Sequence, residues 1–210
     1  MLRKELYMKY PFFASFLVLC AVFYHNRKKS DKNEAKIMQD YFKRENEANN
    51  TRKQPLDNLD YIKIPIDELP TSVNIDDPMI EECISDLNRL NEESIVNFTG
   101  MTNTDLKLAY GPANLPFLQK CDFNYTGLVT CLYKWAKRLY ELSYKQEALS
   151  ILEYAITIKA DISGIYYLAA DIYTEDGHPE KIDYLINAAD TLNSAMKSSI
   201  INTLKEKGRE

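Results

Sequence analysis

Hydrophobic and polar positions fall into three regimes along the chain. From Tyr10 to Tyr24 the residues read YPFFASFLVLCAVFY, with no charge and with Ser15 as the one hydrophilic side chain, between Lys9 and the basic triplet Arg27, Lys28 and Lys29. An apolar run with cationic borders predicts a transmembrane helix. At about 1.5 Å per residue it reaches ~22 Å, short of the ~30 Å hydrocarbon core, so Tyr7, Met8 and a snorkelling Lys9 have to complete the crossing. A cleaved signal peptide is the main rival, but Val22, Phe23 and Tyr24 stand where small residues belong at a cleavage site. The expectation is an uncleaved single-pass anchor at 10–24, preceded by a tail at 1–9, with the lipid bilayer as its partner.

The second regime, residues 25–74, is rich in Lys, Arg, Asp, Glu and Asn as far as residue 59 and has few large apolar groups. Such a composition buries too little surface to offset chain entropy and reads as a stalk or linker. Within it, Asp31 and Glu34 resemble a capping box, and Ile37, Met38, Tyr41 and Phe42 form a narrow apolar stripe. This predicts a solvated helix, with a helix lying on the membrane or pairing with its own copy as alternatives. Pro65 and Pro70 make residues 61–70 extended but unfit for a central strand.

The third regime, 75–210, has helical periodicity. Asp77 can cap a helix that opens on Pro78 and whose apolar face is formed by Met79, Ile80, Cys83, Ile84, Leu87 and Leu90. Residues 96–118 carry Gly100, Gly111, Pro112 and Pro116 among apolar side chains and read as a structured loop with a helical turn near Asp105 to Leu108. Beyond Pro116 the one proline is Pro179, which leaves the last stretch free to be helical. An all-α protein follows, built as anchor, stalk and a stack of helix hairpins.

Two stretches of that last part, 132–156 and 166–190, align with each other at a spacing of thirty-four. Leu132, Ala136, Leu139, Ala148, Leu152 and Ala155 correspond to Tyr166, Ala170, Tyr173, Ile182, Ile186 and Ala189, and a Gly177-His178-Pro179 turn faces Ser143-Tyr144-Lys145. This alternation of large and small residues resembles the tetratricopeptide repeat. Ile182 departs from the alanine usual in that family, and Ala160 and Ser194 stand where its closing proline would be. The resemblance implies antiparallel hairpins closed at their ends by neighbouring helices, here 79–90 in front and the stripe Met196, Ile200, Ile201 and Leu204 behind. It also implies that a protein or peptide segment binds against the first helix of each repeat. That concave side holds Thr130, Tyr133, Lys137, Tyr140 and Glu141, then Gly164, Tyr167, Asp171, Thr174 and Glu175. Tyr133, Lys137, Tyr140, Tyr167 and Asp171 are the partner-binding candidates, since tyrosine joins broad contact area to a hydrogen-bonding tip. The competing reading packs these tyrosines at helical spacing.

Charge sharpens the division. Residues 1–32 hold seven basic against two acidic side chains, so a net charge of −5 leaves −10 for the remainder. An acidic body argues against a nucleic-acid partner. Basic residues flank the apolar run on both sides; their count alone favours a cytoplasmic body, while the short basic tail favours an extracytoplasmic one, which is the reading adopted. His25 and His178 are the two histidines, neither sits in a nucleophile motif, and no zinc, EF-hand or phosphate-loop spacing occurs. No catalytic residue, cofactor or metal is therefore assigned. The functional expectation is a membrane-anchored helical adaptor for protein–protein interaction in an envelope assembly. A self-associating structural protein without a client is the second reading, and a membrane-associated hydrolase the third.

Overall fold

A computed structural model describes the backbone of residues 2–72 and 75–209, and the side chains of its first helix from residue 13 onward. The described chain is all-α: α1 (Leu2–Asn49), α2 (Pro78–Asn91), α3 (Asn103–Tyr110), α4 (Leu115–Glu141), α5 (Lys145–Thr157), α6 (Ser163–Glu175), α7 (Lys181–Asp190) and α8 (Lys197–Lys207). The β pairing among the described residues is one isolated antiparallel bridge between Tyr61 and Val96.

Local rules account for the starts of α2 and α3. Asp77 caps α2 by accepting from the backbone N–H groups of Met79 at 3.0 Å and Ile80 at 3.2 Å. Thr102 and Asp105 form a reciprocal capping box that starts α3. Residues 96–118 thus carry a full helix and, after a 3-10 turn at Pro112–Asn114, the start of α4, where the sequence suggested a loop with a single turn. Between them lies Gly111 at φ 86°, where a Cβ would meet the Arg52 carbonyl oxygen at 2.7 Å, so glycine is demanded twice over.

The stalk expected at 25–74 differs from the structure in two respects. Residues 25–49 continue α1 without a break, because no glycine or proline interrupts 12–54 and Lys, Glu, Arg, Gln and Ala favour helix even without burial. Further on, Ile64 and Leu69 are buried in the main core, so the Pro65–Pro70 segment is part of the body. Its backbone joins the fold through the Ile62 amide, which donates to the Ile95 carbonyl at 2.9 Å.

The main core joins α2 and α4 through α8 around Trp135, Tyr166, Leu132, Ile151 and Leu152, all inaccessible to solvent. A smaller one holds Val96, Phe98, Leu106, Leu118 and Cys121, with Leu56, Leu59, Tyr110 and Leu115 at its edge. The 27-residue α4 runs through both. The last turns of α1 close the smaller side: Ala48 is fully buried, Arg44 pairs with Asp105, and Lys107 reaches Glu45 and, at 2.8 Å, Asn49.

The hairpins α4–α5 and α6–α7 repeat one another at thirty-four residues in their turns as well. The Tyr144 amide donates to the Leu139 carbonyl and Ser143 to Tyr140; thirty-four residues on, His178 donates to Tyr173 and Gly177 to Thr174. These are the paired bonds of a helix that ends in a left-handed residue. Ser143 holds φ 70° where Gly177 holds φ 81°. A serine there strains the backbone that a glycine would accept freely. Ser143→Gly is expected to raise stability by about 0.5–1 kcal/mol after the extra unfolded-state entropy of glycine is set against the relief, seen as a melting midpoint higher by roughly 2 °C. An unchanged or lowered midpoint would show that the strain is absorbed elsewhere.

Among the described residues no helix is long and apolar enough to cross a membrane. The apolar run read from the sequence begins at Tyr10, and the side chains of Tyr10, Pro11 and Phe12 lie outside the described residues.

Candidate interaction surface

The five side chains expected to line a concave groove are distributed over separate contacts. Tyr133 lies against Gly164, where an added Cβ would fall 2.3 Å from the phenol oxygen. The glycine therefore makes room for a tyrosine crossing from α4 to α6. Tyr140 donates to Glu175 at 2.7 Å, and Lys145 pairs with the same carboxylate at 2.6 Å, which ties the two hairpins together at their turn ends. The Lys145 ammonium and the Tyr140 hydroxyl both hold the Glu175 carboxyl below the usual range, and the Tyr140 phenol is pushed up in turn.

Tyr167 and Asp171 are engaged by α8. The Tyr167 hydroxyl is 3.2 Å from Thr203 Oγ1, and Asp171 pairs with Lys207. The last helix, whose buried Ile200 and Leu204 anchor it, thus packs on α6 over these two residues. Only Lys137 among the five stands exposed beside an open cavity.

That cavity is a cleft of about 510 Å³ between α2 and α4. Its apolar wall is made by Met79, Cys83 and Phe123, and its charged rim by Glu82, Asp86, Lys134, Lys137, Arg138 and Glu141. Phe123 is 76% exposed, the most solvent-accessible large apolar side chain of the described residues. One end of the cleft is fixed by Arg138, which reaches Asp77 through Nε at 2.8 Å and Nη2 at 2.7 Å and touches Glu141 at 3.1 Å. Asp86 pairs with Arg89. Lys134 and Lys137 have no carboxylate partner among the described residues. The cleft therefore offers an apolar floor and two ammonium groups free to take an acid.

The Arg138 guanidinium beside Asp77 holds its carboxyl below the ordinary carboxylate range, helped by the two capping amides and opposed by desolvation. A depressed folded-state pKa gives stability that is present above the unfolded value and lost as pH falls through the folded one. Asp77→Asn is accordingly expected to weaken the protein at neutral pH and to flatten the loss of stability on acidification below about pH 4. Urea midpoints across that range check it. A variant that keeps the full acid dependence of the parent would remove Asp77 from this role.

The floor of the cleft contains a thiol pair. Cys131 donates to the Cys83 carbonyl at 3.1 Å, and its contact with Cys83, together with burial, pushes the Cys131 thiol up. All four cysteines are free, Cys20 exposed and Cys83, Cys121 and Cys131 buried. His178 sits in an exposed turn 3.1 Å from Glu180. Among the described residues no cluster of three or more His, Cys, Asp or Glu is placed to hold a metal ion.

Sequence reasoning does not single out Phe123 or Met79 as surface residues: Met79 reads as one member of the apolar face of α2, and Phe123 lies before the repeated segment. The available signal was a phenylalanine at a position where the α4 periodicity calls for a polar residue. Comparison with protein-family models, with curated proteins and with solved structures finds no match to this chain.

Proposed function

We propose that this protein is a membrane-anchored helical adaptor, in which residues 10–24 sit in the bilayer and the α2–α4 cleft receives a segment of another protein. The observation that carries this reading is the bare apolar sleeve on α1: Phe13, Phe16, Leu17, Val18, Leu19, Val22, Phe23 and Tyr24 are each 52–69% exposed. Isolated exposed apolar side chains need no explanation, but a contiguous patch of this size on one helix marks a surface that is covered in use. The residues surround the helix rather than line one face, and Arg27, Lys28 and Lys29 follow at once, which fits lipid better than a protein groove.

A stack of tetratricopeptide-like hairpins is the architecture that best suits the body. The thirty-four-residue recurrence of the turn bonds, and the complete burial of Ala136, Ala170, Ala155 and Ala189 at the hairpin contacts, support it. With α8 across α6, the binding role passes from the expected tyrosines to the cleft. Its apolar floor and the ammonium groups of Lys134 and Lys137 suit a short apolar segment carrying an acidic side chain. Binding, not catalysis, is the role, and the body lies on the extracytoplasmic side.

The test is photo-crosslinking of the full chain in its native membrane, with Phe123→Asp plus Met79→Asp compared against Tyr184→Asp on the exposed side of α7. Loss of a crosslinked protein with the first variant and its retention with the second are expected. A partner that survives the double change would move the binding surface away from the cleft.

A further inference from the structure

We propose that Cys83 and Cys131 form a reversible disulfide across the floor of the α2–α4 cleft, a covalent staple between the two helices that make its walls. The bond goes beyond the capture of a partner: it stands on the packing of α2 against α4 and holds whatever the cleft receives.

Three contacts fix the register of these helices. Asp77 before α2 is gripped by Arg138 on α4. The Cys131 Sγ lies 3.1 Å from the Cys83 carbonyl oxygen. Further along α2, the Leu90 side chain lies 3.9 Å from where a Cβ on Gly127 would stand. Residue numbers rise along α2 as they fall along α4, so the helices run antiparallel and backbone register brings the two cysteines opposite each other. Their side chains touch as well. A disulfide needs neighbouring backbones in addition to neighbouring sulfurs, and both conditions are met here. Cys83 is 4% and Cys131 6% exposed, yet both line the cleft, so the cleft is the route to their sulfurs. Neither of the other cysteines competes. Cys121 is buried in the smaller core, about 15 Å from Cys131 along α4, and Cys20 belongs to the apolar run of α1.

The pair is also asymmetric. Contact with the Cys131 thiol, helped by the Lys134 ammonium and opposed by burial and by Glu82 and Asp86, holds the Cys83 thiol below its ordinary range, while the same contact pushes Cys131 up. Cys83 is therefore the attacking thiol. With a small-molecule disulfide as oxidant, the Cys83 thiolate attacks one of its sulfurs, the S–S bond breaks, and the first thiol leaves with the proton that Cys83 gave up. Cys131 then attacks the Cys83 sulfur of the mixed disulfide and passes its own proton to the second leaving thiolate. The two protein thiols lose two electrons and become one disulfide, and the small disulfide gains them and becomes two thiols. The Cys83 carbonyl gives up its S–H donor but keeps its place as an acceptor inside α2. Oxidation closes a loop of roughly fifty residues, which constrains the unfolded chain strongly. It adds a second pin to the Arg138–Asp77 pair, about 10 Å further along α4, so the walls of the cleft can no longer part.

The experiment treats the native full chain in detergent with bis(2-hydroxyethyl) disulfide, then alkylates the remaining thiols and maps the peptides by mass. A linked Cys83–Cys131 pair within one chain is expected, with Cys121 still alkylatable only after unfolding, which shows that the core stayed closed. The linked protein should melt at least about 5 °C above the reduced one, exchange its α2 amides at least tenfold more slowly, and lose both effects on reduction. Cys131→Ser keeps a donor for the Cys83 carbonyl, and should hold the mercaptoethanol adduct on Cys83 with no rise in the midpoint. Cys83→Ala should show neither adduct at Cys131 nor rise. Absence of the linked pair in the parent chain, a link between chains or to Cys121, or a linked pair that leaves the midpoint unchanged or lowers it, would overturn the staple.

Discussion

Full-length protein carrying Leu17→Arg together with Val18→Arg is expected to appear in the supernatant of an alkaline membrane wash, whereas the parent stays in the pellet. Each arginine near the centre of a membrane helix costs about 2.5–3.5 kcal/mol on insertion scales, so the pair removes roughly 5–7 kcal/mol. That is a shift of about four decades in the membrane-to-water partition. The effect is confined to partition because Leu17 and Val18 are 53% and 63% exposed, and the body begins to bury side chains only near the end of α1. The far-ultraviolet spectrum and melting midpoint of the soluble variant should therefore match those of the detergent-solubilised parent. Retention of the doubly substituted chain in the pellet would mean that another part of the protein holds it there.

Trp135→Ala is expected to destabilise the body by about 3–5 kcal/mol, the ordinary consequence of hollowing out a fully buried aromatic site. Against a typical total of ~5–15 kcal/mol this leaves a protein that unfolds in mild denaturant, followed by circular dichroism because the single tryptophan is gone. Trp135 sits with no accessible surface on α4, within the cluster that joins α2 to the hairpins. Its indole Nε1 and the Tyr166 hydroxyl are both buried without a hydrogen-bond partner among the described residues. An unmet buried donor costs about 1–3 kcal/mol, so removing one without changing shape should help. Tyr166→Phe keeps the ring and deletes the hydroxyl, and is expected to leave stability unchanged or raise it by up to about 1 kcal/mol. A substantial loss would reveal a partner for that hydroxyl, such as a buried water. Tolerance of Trp135→Ala would mean that the hairpins do not close over this residue.

The parts of the fold legible in the sequence are those set by neighbours along the chain. Asp77 and Pro78 announce α2, because capping involves residues two and three positions on. The thirty-four-residue recurrence of small and large residues marks the hairpins, and Gly177 marks their turn; the left-handed Ser143 opposite it was readable only by alignment with that glycine. The continuity of α1 was readable in principle from the absence of helix breakers, but its low apolar content argued for a stalk, and the two signals conflict until tertiary contact decides. Arg44 and Glu45 find Asp105 and Lys107 some sixty residues away, a pairing that no local pattern encodes.

The candidate site was less legible for the same reason. Lys137, expected on a concave groove, lines the cleft instead, and its neighbours there, Met79 and Phe123, come from α2 and from the part of α4 before the repeat. Only the packing of α2 across α4 brings them together. Tyr167 and Asp171, expected from the resemblance to line a groove, are reached by α8 through Thr203 and Lys207. An amphipathic pattern states that a helix has an apolar stripe; it does not state against which edge its polar residues will lie.

Cys20 offers the most direct measurement of where the sleeve resides, since it is the one exposed cysteine among the described residues and lies within the apolar run. A nitroxide attached there in the full chain, reconstituted in liposomes, reports its surroundings through collisions with oxygen, which concentrates in lipid, and with a water-soluble nickel chelate. Residence in the hydrocarbon core predicts strong relaxation by oxygen and little by the chelate. Ready access for the chelate, with the chain associated with the liposomes or free of them, would contradict the membrane anchor.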